Sequence, residues 1–120
     1  MRRLYIVLTI CLALLIPVGA FTAEIVTVTV ASGGTDSSPQ KRPQPQFYTV
    51  EIHAPGVLAE AATITASPTD SGTFSTLQSG GADISIAATK VIIISPAPEY
   101  LKIHLGGAAA QARIFTFVWK

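Results

Sequence analysis

Residues 24–31 read Glu24-Ile25-Val26-Thr27-Val28-Thr29-Val30-Ala31. Positions 25–30 are all β-branched, and valine alternates with threonine. Such side chains lose rotamer freedom in a helix and pack well on a pleated surface. A period of two sets Val26, Val28 and Val30 on one face and Thr27 and Thr29 on the other. The stretch reads as a strand with one apolar face.

The same signal recurs after residue 46. In 47–53, Tyr48, Val50 and Ile52 share a phase. Residues 60–67 and 73–78 follow, separated by Ser67-Pro68-Thr69-Asp70-Ser71-Gly72, a run of turn residues. Ser79-Gly80-Gly81 marks a hairpin turn before 83–87, where Ile84 and Ile86 alternate inward. Residues 91–94 are Val-Ile-Ile-Ile, an apolar run that predicts a central strand buried on both faces. In 100–105, Leu101, Ile103 and Leu105 oppose Lys102 and His104. The last strand, 112–120, sets Phe115, Phe117 and Trp119 on one side and Ile114, Thr116 and Val118 on the other. The result is about eight short strands with turn signals between them and no helical period of useful length. That pattern predicts an all-β single domain, a β-sandwich or jelly roll, over residues 47–120. Ile92, Ile94, Ile103 and Phe117 are its expected core.

Residues 32–46 interrupt the pattern. Gly33-Gly34, Ser37-Ser38-Pro39 and Pro43-Gln44-Pro45 favour no regular element, so the stretch reads as a flexible linker. It sets the strand 24–31 apart from the domain. A strand on such a tether can complete the sheet edge of a neighbour, as expected of a structural subunit, or fold back onto its own domain, as expected of a monomeric binding module.

Upstream, Arg2 and Arg3 precede an apolar run from Leu4 to Ile16, broken by Pro17 and Gly19 and followed by Ala20 and Ala23. A basic start, an apolar middle and small residues at the end make residues 1–23 a secretory signal peptide. Cleavage is expected after Ala20 or Ala23. The other reading is an uncleaved anchor, since residues 4–21 reach the lower limit for spanning a bilayer. Either way the domain is placed outside the cytoplasm, and it contacts a membrane only through residues 4–21 if these are uncleaved.

The only cysteine, Cys11, lies in this segment, so the exported part has no disulfide and depends on packing or oligomerisation. Without Arg2 and Arg3, six of the eight basic side chains remain against seven acids, a net charge of −1. No basic stripe is present, so nucleic acid binding lacks its electrostatic drive. Charged residues make up 12% of the chain, about half the usual share. A surface so poor in charge is Ser/Thr/Ala-rich or covered by neighbouring subunits.

No motif for catalysis, phosphate binding or metal ligation appears. His53 and His104 fall on outward strand phases, with no partner acids at ligand spacing in the sequence. Asp70 and Asp83 sit beside turn glycines and read as turn caps. Glu51 and Glu60 are imaginable as an acid pair, but the Pro55-Gly56 turn separates them. No enzyme activity, metal or cofactor is expected. The stripe Phe115/Phe117/Trp119 is either the core face of the last strand or a subunit interface or sugar-stacking platform. With Val26, Val28 and Val30, these three form the candidate interface.

The stretch 63–77, Thr63-Ile64-Thr65-Ala66-Ser67-Pro68-Thr69-Asp70-Ser71-Gly72-Thr73-Phe74-Ser75-Thr76-Leu77, follows a strand, an S-x-x-D-x-G turn and a second strand. With Pro98-Glu99-Tyr100-Leu101-Lys102-Ile103, it resembles small β-sandwich accessory proteins of tailed-phage virions. The resemblance covers 47–120 and implies a decoration, tail or fibre role without catalysis. The export segment departs from that pattern. The expected function is a structural subunit that self-assembles or joins other structural proteins. The alternative is an exported monomeric binding module, an adhesin or carbohydrate-binding domain with a surface glycan as ligand.

Overall fold

The computed structural model describes residues 22–120, so the signal or anchor reading of residues 1–23 falls almost entirely outside it. The described chain is all β, and every strand pairing is antiparallel. Sheet I joins β1 (Glu24–Val30), β11 (Arg113–Trp119), β3 (Val50–His53) and β9 (Val91–Ile94), in that spatial order. Sheet II joins β2 (Gln40–Lys41), β10 (Tyr100–Leu105), β4 (Ala62–Ser67) and β5 (Ser75–Thr76), and β8 (Ser85–Ile86) also pairs with β4. β6 (Gln78–Ser79) and β7 (Ala82–Asp83) form a separate hairpin. Its two-residue turn has Gly80 at φ 61° and Gly81 at φ 83°. Two successive positive φ angles define the turn that matches strand twist, and glycine adopts them without steric cost.

The inward phases of both sheets meet in one buried cluster. Sheet I contributes Val28, Val30, Val50, Ile52, Ile94, Phe115, Phe117 and Trp119; sheet II contributes Ala62, Ile64, Ile86, Leu101, Ile103 and Leu105. The Phe117 and Trp119 rings meet at 6.2 Å between centroids, tilted by 60°. This is an aromatic pair geometry that adds to their burial.

Three expectations are corrected. First, β1 is not set apart. It pairs along its whole length with β11 of the same chain, from Glu24↔Trp119 to Val30↔Arg113. Burying Val28 and Val30 under its own second sheet is what holds it there. Second, residues 32–46 are not a free linker. The Gly33 amide donates to the Ala109 carbonyl at 2.7 Å, and the Ala109 amide returns to Gly34 at 2.9 Å. Ser37, 4% exposed, donates its amide to Ile103 and accepts the Ile103 amide on its Oγ, both at 3.0 Å. The segment carries the chain from sheet I to sheet II; its backbone groups are satisfied by Ala109, by β10 and, over Gln40–Lys41, by the short strand β2 that pairs with β10. Third, β9 is an edge strand, not a central one. It has one face on the core, so Ile94 is buried while Val91 and Ile93 are 47% and 66% exposed. Tyr48 also departs from its expected phase. The strand begins only at Val50, and Tyr48 is exposed in the preceding loop.

A buried ion pair closes one end of the fold. Arg113, at the start of β11, donates from Nε and Nη2 to Glu60 at 3.0–3.3 Å, and from Nη1 to the Val57 carbonyl at 3.3 Å. The Ala110 amide donates to the same carboxylate at 3.0 Å. The two side chains are 6% and 9% exposed. Glu60 is therefore remote in role from Glu51, which lies on the outer face of sheet I. The Arg113 hydrogen bonds, followed by the Ala110 amide, hold the Glu60 carboxyl down at about 2, against an ordinary 4.5. A carboxyl depressed in the folded state stabilises above its unfolded value and loses that contribution as pH falls through its folded value. Stability should therefore decline between about pH 4.5 and about pH 2. Glu60→Gln should melt lower at neutral pH and show a shallower acid decline. Equal acid slopes for the two proteins would assign the acid sensitivity elsewhere.

Candidate functional site

The outward phases of β10 and β4 meet in register on the free face of sheet II. Lys102 lies opposite Thr65, which lies opposite Thr76 of β5; His104 lies opposite Thr63. The crossing segment adds Asp36, which bridges to His104, and the turn after β4 adds Gly72 and Phe74. Asp36, Thr65, Gly72, Phe74, Thr76, Lys102 and His104 line a hollow of about 340 Å³.

Asp36 organises this hollow. Its Oδ1 lies 2.9 Å from His104 Nδ1 and 3.8 Å from Lys102 Nζ. Partial burial works to raise its carboxyl pKa. The His104 hydrogen bond and the Lys102 charge outweigh that, and the net shift is downward. Asp36 is thus an anion at neutral pH. Lys102 extends over the Phe74 ring, 4.6 Å from its centroid, a cation–π contact. Thr65 is only 6% exposed and forms the floor. Gly72 is tightly held, since a Cβ there would lie 2.5 Å from Thr69 Oγ1 and 2.7 Å from Ser67 Oγ. Any larger residue would push the turn that carries Phe74.

The outward alternation of Lys102 and His104 is visible in the sequence. Asp36 is not, because it lies 68 residues from His104 within a stretch that has no periodicity. His53 also has a partner, one that the period of two sets on its own face: its Nε2 is 3.3 Å from Glu51 Oε1, and Lys120 pairs with the other Glu51 oxygen. These contacts hold the Glu51 carboxyl below its usual range, Lys120 contributing most. Neither histidine belongs to a group of three or more metal-ligand side chains among the described residues. The Thr35 hydroxyl donates to the other Asp36 oxygen at 3.2 Å.

The outer face of sheet I is different in character. Ile25, Val118, Glu51 and Ile93 form one row across its four strands. Thr27, Thr116, His53 and Val91 form the next, and Thr29 with Ile114 a third. Ile25, Ile93 and Ile114 are 70%, 66% and 52% exposed. No described strand pairs with the free edge of β1 or of β9.

The side chains expected as an interface lie elsewhere. Val28, Val30, Phe115, Phe117 and Trp119 are fully buried, and Val26 is half-buried against them. They are core, and Trp119 offers no surface for stacking. The strand phases explain this: all six lie on the face of sheet I turned toward sheet II.

No protein-family model and no curated protein sequence matches this chain.

Proposed function

We propose that this chain is a non-enzymatic structural subunit of jelly-roll type, exported or virion-associated, that assembles with copies of itself through sheet I. The strand order supports the jelly-roll reading. The chain alternates between sheets over β1–β4 and again over β8–β11, its first strand pairs with its last, and its second pairs with its last but one. Eight-stranded double sheets of this winding serve as viral capsid and lectin domains. The fold alone does not choose among such roles.

The observation that carries the assembly reading is the surface of sheet I. Soluble proteins blunt edge strands with lysine, proline or short length. After its first residue, Glu24, β1 has no charge and no proline over six residues; β9 has neither, though it is only four residues long. Between these open edges the face presents four large apolar side chains. Ile25 and Ile114 lie on the β1 side of the face and Val91 and Ile93 at the β9 edge, with Glu51 and His53 between them; exposed apolar side chains beside an unpaired edge favour pairing with another chain. The sparse charge of the chain points the same way.

The test is the solution mass of the domain, residues 22–120, measured by light scattering at micromolar concentration. The parent protein should exceed the monomer mass. Ile93→Lys together with Ile25→Lys should return it to a monomer with unchanged melting, since both side chains face solvent in the single chain. A monomeric parent, or an assembly indifferent to both lysines, would overturn the proposal.

A further inference from the structure

We infer that the hollow on the free face of sheet II is a saccharide-binding site, with Phe74 as its apolar platform and Asp36, Lys102 and His104 as its hydroxyl-reading groups. The inference is independent of assembly through sheet I, which uses the opposite face.

The chemistry of the lining selects the ligand class. A sugar ring has an apolar face of C–H groups and a rim of hydroxyls that both donate and accept. Phe74 is half-buried at the turn, a fixed ring that loses little freedom on binding. Around it stand a carboxylate acceptor, an ammonium donor and two threonine hydroxyls, with imidazole Nε2 left over once Nδ1 has engaged Asp36. A carboxylate and a cationic side chain beside the same ring suit vicinal hydroxyls, one accepting and one donating.

Charge balance argues against the rival ligands. The Asp36 charge is matched by Lys102 at 3.8 Å, so the site has no net field to capture a phosphate or a sulfate. With one carboxylate in the hollow, a divalent cation lacks the oxygen set it requires. The hollow is a few hundred Å³, the size for one or two sugar rings.

The site is also poised to adapt. Lys102 is held by one long ion pair and one cation–π contact, both weak at a partly exposed position. A ligand hydroxyl can draw its ammonium off the ring and leave that face open to the sugar. Beneath it, the Thr65 hydroxyl is aligned by its 3.4 Å hydrogen bond to the Lys102 carbonyl.

The experiment is a glycan array probed with the folded domain, followed by an amide-shift titration with the best-binding glycan. Shallow sites of this size bind singly at roughly millimolar to micromolar strength. Shifts should centre on Thr65, Phe74, Lys102 and His104. Phe74→Ala should weaken binding by about tenfold or more, and Asp36→Asn by about tenfold, each with the melting temperature nearly unchanged. Asp36→Asn keeps the size of the side chain and so tests the site if Phe74→Ala disturbs the turn. A blank array, shifts confined to sheet I, or binding indifferent to both variants would overturn the inference.

Discussion

Phe117→Ala should cost about 3–5 kcal/mol of unfolding free energy and Ile103→Ala about 2–5 kcal/mol, whereas Ile93→Ala should move it by less than about 0.5 kcal/mol. Phe117 and Ile103 are fully buried, on facing sheets of the same core, and Ile93 is 66% exposed. Truncating a packed side chain loses its transfer free energy and leaves a cavity whose walls lose contacts. Truncating an exposed one loses neither. A domain of this size has about 5–15 kcal/mol in total, and no disulfide supports this one. Chemical denaturation monitored by fluorescence of Trp119, itself fully buried, reads all three variants. Comparable losses at Ile93 and Phe117 would mean that β9 is buried on both faces.

Deleting residues 24–30 should abolish cooperative folding. Val28 and Val30 are completely buried, and burying a valine contributes about 1.5–3 kcal/mol. The two together amount to about 3–6 kcal/mol, before the half-buried Val26 and the backbone pairing with β11 are counted. The loss approaches the stability of the whole domain. Removing β1 also uncovers the edge of β11, the strand that carries Phe115, Phe117 and Trp119. Circular dichroism and amide-shift dispersion of residues 31–120 check this directly. A deletion variant that stays folded would show that sheet I closes without β1, and would free the strand for exchange with a neighbouring subunit.

These two expectations differ from a reading of the linear pattern in instructive places. The alternation of Leu101, Ile103 and Leu105 against Lys102 and His104 was legible because a half-buried strand imposes a strict period of two. So was the glycine hairpin at 80–81, where local backbone geometry demands the residue type. The run 91–94 was misleading: four apolar residues look the same on a central strand and on an edge, since periodicity carries no information about neighbours. The stripe 115/117/119 was legible as one face, but not as core or interface, because both bury the same side chains.

The candidate site was the least legible feature. Its residues come from a segment without periodicity, from a turn and from three strands, and Asp36 reaches His104 across 68 positions. Nothing local links them.

Local rules alone settle the β class, the phases of the strands with clean alternation, the hairpin turn and the absence of a disulfide. Each depends on one residue or on its near neighbours, through rotamer freedom, pleat and φ. Strand order, the capture of β1 by β11, the exposure of β9 and the meeting of Asp36 with Lys102 and His104 belong to the assembled fold. They follow from which faces bury together and which backbone groups find partners, and those are relations between segments far apart in the chain.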